Sequence, residues 1–199
     1  LTSGMIGRDA DGRRLLSRLV IAFVPAAFVG LLLGDTIKAQ LFGVWPVIAA
    51  WMVGGIFLVW WNPRPGTTEL TAFTARNAAI IGLAQILALW PGMSRSLVTI
   101  AAALAIGASM AAAVEFSFLL GLATLSAATF YDLAKDGQTI LDEYGWRTPL
   151  LGGIVAFITA AIAVRWLVAF LRTRPLSIFG WYRIGIALAT AAMVGLNVI

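Results

Sequence analysis

The stretch AAIIGLAQILALWPGMSRSLVTIAAALAIG, residues 78–107, decides the fold. Its apolar run 78–90 would form about 20 Å of helix and the run 96–107 about 18 Å, whereas a membrane crossing needs about 30 Å. Pro91 and Gly92 interrupt the helix between the two runs. Irregular backbone at membrane depth is tolerated only where it lines a cavity in the protein. The spacing favours a re-entrant pair of half-length helices over a hairpin whose tip emerges into water.

Five further apolar runs flank this stretch, and each is long enough to cross a bilayer. They cover residues 15–33, 41–61, 110–131, 149–171 and 178–199. Interfacial aromatic residues are typical of the ends of such helices, and here they are Trp60, Trp61, Tyr131, Trp146 and Trp181. The sequence therefore predicts an all-α polytopic membrane protein with about five transmembrane helices and one re-entrant helix pair. Residues 1–199 are predicted to form a single membrane domain.

The composition excludes a soluble domain and narrows the chemistry. Hydrophobic residues make up 61% of the 199 positions and charged residues 12%, whereas soluble domains carry about 25% charged residues. There is no cysteine and no histidine, which excludes disulfides, a thiolate nucleophile and a histidine base. Any metal must be held by oxygen atoms, which favours Mg²⁺ or Ca²⁺. The net charge of +5 fits loop arginines near anionic lipid and does not indicate nucleic-acid binding.

Basic residues are distributed unequally between the two predicted sides of the membrane. The side of the N-terminal flank holds Arg8, Arg13, Arg14, Arg18, Arg64, Arg76, Arg172 and Arg174, and the other side holds Lys38, Lys135 and Arg147. This bias predicts that the N-terminal side is cytoplasmic. The acidic segment 132–147 is predicted to be a solvated connection between two crossings.

Arg95 is the most informative residue, because an arginine at membrane depth is costly and normally faces a partner or a cavity. It follows a Pro-Gly break at a predicted helix start, where free N–H groups and the helix dipole suit a phosphate. Gly92 allows close backbone approach, and Ser94, Ser96 and Thr99 add hydroxyl groups. This combination indicates an anion cradle. The alternative is that Ser94 is an ordinary N-cap and that Arg95 extends to the interface.

Other polar residues are candidate lining residues of the same cavity: Gln85, Glu115 and Ser117. Glu115 is interpreted either as an interfacial carboxylate or as a salt-bridge partner of Arg95. Gln85 is interpreted either as a helix–helix hydrogen-bonding residue or as a functional one. Three residues in the last two apolar runs are predicted to reach or anchor at the interface: Arg165, Tyr182 and Arg183.

At these residues the sequence resembles the undecaprenyl-diphosphatase family, the bacitracin-resistance proteins of bacteria. The similarity lies in residues 82–92 with 94–96, in 115–120, in 24–38 and in 179–184. The resemblance implies a bacterial inner-membrane enzyme that removes one phosphate from undecaprenyl diphosphate and so recycles the lipid carrier of cell-wall synthesis. It also implies an inverted repeat, with two re-entrant helix pairs meeting in a cavity open to the periplasm.

The resemblance further implies roles for single residues and partners. Arg95 would bind and stabilise the transferring phosphate, with Ser94 beside it as the second catalytic candidate. Ser94, Ser96 and Thr99 would be hydroxyl ligands of the diphosphate, and a divalent metal, Mg²⁺ or Ca²⁺, would be a cofactor. The expected partners are a polyprenyl diphosphate lipid, the membrane and a second copy of the chain in a homodimer.

The sequence departs from the family pattern at Leu97, where the family has glycine, and near Ala123, where it has proline. It also shows no counterpart of the family's first block, with its glutamates, serines and histidine. The chain is therefore expected to match the C-terminal two-thirds to three-quarters of the family fold, and not to hydrolyse the lipid efficiently alone. Two other functions stay open: a polyprenyl-phosphate carrier or flippase, and a non-catalytic membrane subunit that binds a lipid phosphate.

Overall fold

The computed structural model describes residues 10–61, 65–171 and 175–196, and most of this part of the chain is helical. It forms seven α-helices, which we number in chain order. They are α1 (Ala10–Leu41), α2 (Val44–Trp60), α3 (Ala75–Gln85), α4 (Arg95–Ala105), α5 (Met110–Tyr144), α6 (Arg147–Leu171) and α7 (Ser177–Gly195). Short 3₁₀ segments cover Leu70–Ala72 and Ile86–Leu89.

Four of these helices, α1, α5, α6 and α7, are long and apolar enough to cross a membrane. Large apolar side chains stand exposed along them, including Leu31 at 75% and Phe157 at 77% exposure. Apolar surface on this scale needs a covering, which lipid tails provide. The prediction of an all-α polytopic membrane protein is confirmed.

Helix α2 is shorter than the predicted fifth crossing. Phe42 and Gly43 bend the chain before it, so that α2 has 17 residues and spans about 26 Å. Four residues of the predicted membrane topology lie outside the described residues: Arg8, Arg64, Arg172 and Arg174. The topology itself stays a prediction.

The two half-length helices of the deciding stretch are confirmed as α3 and α4. A capping box of Thr74 and Asn77 starts α3, which gives way to the 3₁₀ segment Ile86–Leu89. Trp90 then takes an extended conformation, with φ −74° and ψ 117°, as expected for a residue before proline. The re-entrant position of this pair in a membrane stays a prediction.

The predicted connection at 132–147 is largely exposed, but it is not a loop, because α5 continues as a helix to Tyr144. The chain turns only at Gly145, whose φ is +64°. The predicted end at Tyr131 is wrong for the same reason, and its side chain is exposed within α5.

The described chain divides into two compact units, one within residues 1–121 and 175–199 and one within 122–174. The first unit contains the deciding stretch. In it α2 packs on α7 through glycines, since a Cβ on Gly55 would lie 2.9 Å from the carbonyl oxygen of Gly180. A Cβ on Gly82 would lie 2.5 Å from the carbonyl oxygen of Ala22, so α3 and α1 pack equally closely. These close contacts join α2 to α7 and α3 to α1.

Candidate phosphate-binding site

A tight turn joins the two half-length helices. The Met93 N–H donates to the Trp90 carbonyl at 3.1 Å, and Gly92 has a φ of +92°. Proline at the second position and a glycine with positive φ at the third are the pattern of a type II β-turn. A Cβ on Gly92 would also lie 3.0 Å from the Val47 carbonyl oxygen. The turn therefore requires glycine both for its backbone conformation and for its contact with α2.

Ser94 starts α4 in a conformation that is rare for a residue with a side chain. Its φ is +66°, where a non-glycine residue costs about 1–3 kcal/mol. Its hydroxyl accepts from the Leu97 N–H at 3.4 Å, and its carbonyl accepts from the Val98 N–H at 3.2 Å. The N–H groups of Arg95 and Ser96 find no acceptor among the described residues. These two donors at a helix N-terminus are suited to an anion.

The Arg95 guanidinium is half-buried beside these donors. Its Nη1 donates to the carbonyl oxygen of Gly121 on α5 at 3.4 Å, a long hydrogen bond. Within the described ranges it forms no ion pair, and the one ion pair found there joins Arg14 to Asp11. Glu115 is exposed, so its interpretation as the salt-bridge partner of Arg95 is wrong. Most of the five guanidinium donors are therefore available to a ligand.

Thr99 and Ser117 form a buried hydroxyl pair that joins α4 to α5. Their side chains are 1% and 4% exposed, and their oxygens lie 2.6 Å apart. The Thr99 hydroxyl also lies 2.9 Å from the Arg95 carbonyl. In this position Thr99 supports the first turn of α4 from inside the protein, whereas Ser94 is exposed and Ser96 half-buried.

Arg183 reaches the turn from α7 and was missed as a site residue. Its Nη2 donates to the Gly92 carbonyl at 2.8 Å and to the Ala50 carbonyl at 3.0 Å. The interpretation of Arg183 as an interface anchor is therefore wrong, whereas Tyr182 is exposed. The available signal was its charge, since an arginine inside an apolar run normally has a partner in the protein.

Gln85 is buried at the end of α3, with 2% of its surface exposed. Neither its Oε1 nor its Nε2 has a hydrogen-bond partner in the described part of the chain. The helix–helix hydrogen bond expected for Gln85 is thus not formed there. Such a group is costly to bury unpaired and marks a polar position just before the turn.

The described residues do not form a metal site of their own. No group of three or more acidic, histidine or cysteine residues that could hold an ion occurs among them. Near the turn the available oxygens are hydroxyls and carbonyls, whereas Mg²⁺ normally takes one or two carboxylates together with substrate phosphates. The metal therefore stays a prediction, and no step is derived through it.

Taken with the fold, this geometry defines a class: a polytopic membrane protein with a helix N-terminus that follows a Pro-Gly turn and is suited to an anion. Residues 2–189 match the family described as bacitracin resistance protein BacA, and the chain belongs to that family. The family resemblance found in the sequence is confirmed.

Several relatives share most of this chain. An undecaprenyl-diphosphatase of Sorangium cellulosum is 44% identical over 190 residues, covering 92% of this chain and 62% of the relative. One of Nitrosospira multiformis is 43% identical, covering 90% of this chain and 67% of the relative. Undecaprenyl-diphosphatase 2 of Rhodospirillum rubrum is 40% identical, covering 94% and 69%. The chain thus spans about two-thirds of the length of these relatives.

Proposed function

We propose that this chain, joined to a counterpart of the family's first block, hydrolyses undecaprenyl diphosphate to undecaprenyl phosphate in the bacterial inner membrane. We further propose that residues 90–96, the phosphate-binding loop, hold the diphosphate. The names of the relatives support the reaction. The apolar helices support a lipid substrate, whose polyprenyl chain would remain in the bilayer.

The observation that carries the proposal is the burial and the hydrogen bonding of the Arg95 guanidinium. A half-buried guanidinium with one long hydrogen bond to a carbonyl and no ion pair to a described residue is a strong anion site. It can grip a phosphate with two parallel charge-assisted hydrogen bonds. Donors aimed at the charge that develops on phosphate oxygens lower the barrier to transfer.

The polar groups near Arg95 form two sets, candidate phosphate ligands and groups that support the loop. The N–H groups of Arg95 and Ser96 and the hydroxyls of Ser94 and Ser96 are the candidate phosphate ligands. Thr99 is buried and engaged with Ser117, so we assign it to support of the loop. The divalent metal and the homodimer remain predictions from the family resemblance.

The test is a phosphate-release assay with undecaprenyl diphosphate and with Mg²⁺ or Ca²⁺ present. Because residues 1–199 alone are expected to hydrolyse the lipid inefficiently, the parent protein in this assay is the chain joined to the first block of the family. Arg95→Lys keeps the charge but loses the planar fork. The expected loss is about a hundredfold, the effect of removing one preorganised donor. Arg165→Lys is the matched control, because Arg165 is exposed on α6 and its substitution should leave the rate unchanged.

Folding of each variant is checked by its melting temperature in detergent. An Arg95→Lys rate within a factor of two of the parent would contradict the clamp. A parent protein that binds the lipid but releases no phosphate would instead support the carrier or the non-catalytic subunit.

A further inference from the structure

Arg183 stands far from the phosphate-binding loop in sequence but is bonded directly to it. One nitrogen, Nη2, joins the Gly92 carbonyl at 2.8 Å and the Ala50 carbonyl at 3.0 Å. Hydrogen bonds from a charged donor are stronger than neutral ones. Arg183 therefore ties the loop to α2 from a third element, α7.

The surrounding helices leave room for this guanidinium. A Cβ on Gly54 would lie 2.5 Å from Nη2 and 3.1 Å from Cζ of Arg183, so a larger residue at this position of α2 would force the guanidinium to move. The neighbouring Gly55 and Gly180 bring the two helices into backbone contact. A lone arginine in an apolar run would otherwise extend toward water. Here its guanidinium lies in the space beside Gly54 of α2.

The hydrogen bond from Arg183 to the Gly92 carbonyl acts on a part of the loop that other contacts also constrain. Gly92 is also held by the turn, because the following Met93 N–H donates to Trp90. The Trp90 indole in turn donates to the Pro46 carbonyl at 3.0 Å. These contacts fix the backbone immediately before Ser94, whose positive φ sets the direction of the N–H groups that follow. Release of the Gly92 carbonyl would let the turn relax and would misdirect those donors.

We propose that Arg183 is a positioning residue that holds the phosphate-binding loop in its binding conformation through the Gly92 carbonyl. The proposal rests on the proposed function for its consequence, the loss of turnover. The order of the phosphate-binding loop, which the proposal attributes to Arg183, can be measured without turnover.

The experiment compares three variants with the parent protein and with Gly34→Ala, a glycine of α1 at which a Cβ would meet nothing within 4 Å. Arg183→Met removes both hydrogen bonds, and Arg183→Lys retains a shorter donor. Gly54→Ala leaves Arg183 in the sequence but displaces its guanidinium. The readouts are kcat and KM for phosphate release, hydrogen–deuterium exchange of residues 90–96, and melting temperature in detergent.

We expect Arg183→Met to lower kcat/KM by about tenfold to a hundredfold, the effect of losing a hydrogen bond to a charged group. Exchange in residues 90–96 should become faster than in the parent, well below the melting temperature. Arg183→Lys should recover part of both effects, and Gly54→Ala should shift both in the direction of Arg183→Met. Gly34→Ala should match the parent in kcat/KM and in loop exchange.

Unchanged exchange of residues 90–96 in Arg183→Met and Gly54→Ala would overturn the proposal, whatever their melting temperatures. A lower melting temperature with parental kcat/KM would also overturn it, since that is the behaviour of a purely structural contact. Should Arg183→Met fail to fold, the Lys and Gly54→Ala variants give the same decision. A parent protein without phosphate release would refute the proposed function, while loop exchange would still decide the role of Arg183.

Discussion

The buried pair of Thr99 and Ser117 allows the support of the loop to be separated from phosphate binding. Valine has the shape of threonine without its hydroxyl, so Thr99→Val leaves the Ser117 hydroxyl buried, with no other partner in the described structure. An unpaired buried group of this kind costs about 1–3 kcal/mol. Thr99→Val should therefore lower the free energy of unfolding by that amount.

Ser117→Ala should cost less, because the Thr99 hydroxyl keeps the Arg95 carbonyl at 2.9 Å as its acceptor. The loss of one net hydrogen bond is about 0.5–1.5 kcal/mol. Removal of both hydroxyls leaves no orphan partner, so the double variant should be less destabilised than the sum of the single ones. The expected coupling energy is about 1 kcal/mol, typical of residues in contact.

The assay is equilibrium unfolding of the four proteins in mixed micelles, followed by circular dichroism, together with phosphate release. The alternative role of Thr99 as a direct phosphate ligand predicts another pattern: Thr99→Val would reduce phosphate release without loss of stability, and Ser117→Ala would change neither. Additive costs in the cycle, or a Thr99→Val variant as stable as the parent, would refute the supporting role.

Three further predictions concern the loop and its surroundings. Gly92→Ala should be about 1–3 kcal/mol less stable than the parent and should lose phosphate release, because φ is +92° and the Val47 carbonyl is close; a parental melting temperature would contradict the turn geometry. Ser94→Gly should melt above Ser94→Ala, because glycine accepts a positive φ and loses only a few tenths of a kcal/mol as a cap; the reverse order would contradict the positive φ of Ser94. Glu115→Gln should keep phosphate release within about twofold, as exposed substitutions do, whereas a hundredfold loss would return Glu115 to the site.

The sequence predicted the helices best where a local chemical signal sets their ends. Pro91 and Gly92 interrupt the helix between α3 and α4, and that pair of helices was predicted from the sequence. The extension of α5 to Tyr144 was not, because polarity alone does not end a helix. Residues 132–144 contain no proline. Six of the thirteen, two leucines, an alanine, a lysine, a glutamine and a glutamate, are good helix formers.

The site was predicted in part for a similar reason. Arg95 could be identified as a site residue from the sequence, because a charge within an apolar run is costly and because its serine neighbours share one helix start. The contacts of Arg183 could not be read from the sequence, because its acceptors are backbone carbonyls 91 and 133 residues away. Every residue has a backbone carbonyl, so the sequence does not mark these acceptors. The space beside Gly54 that holds the guanidinium is apparent only when α2 and α7 are packed together.

The most direct test of the central claim is an experimental structure of the protein with undecaprenyl phosphate bound. The account predicts phosphate oxygens about 2.7–2.9 Å from the Arg95 guanidinium nitrogens, with the N–H of Ser96 directed at the same group. A phosphate held elsewhere in the protein, with the Arg95 guanidinium still bonded only to the Gly121 carbonyl, would contradict it.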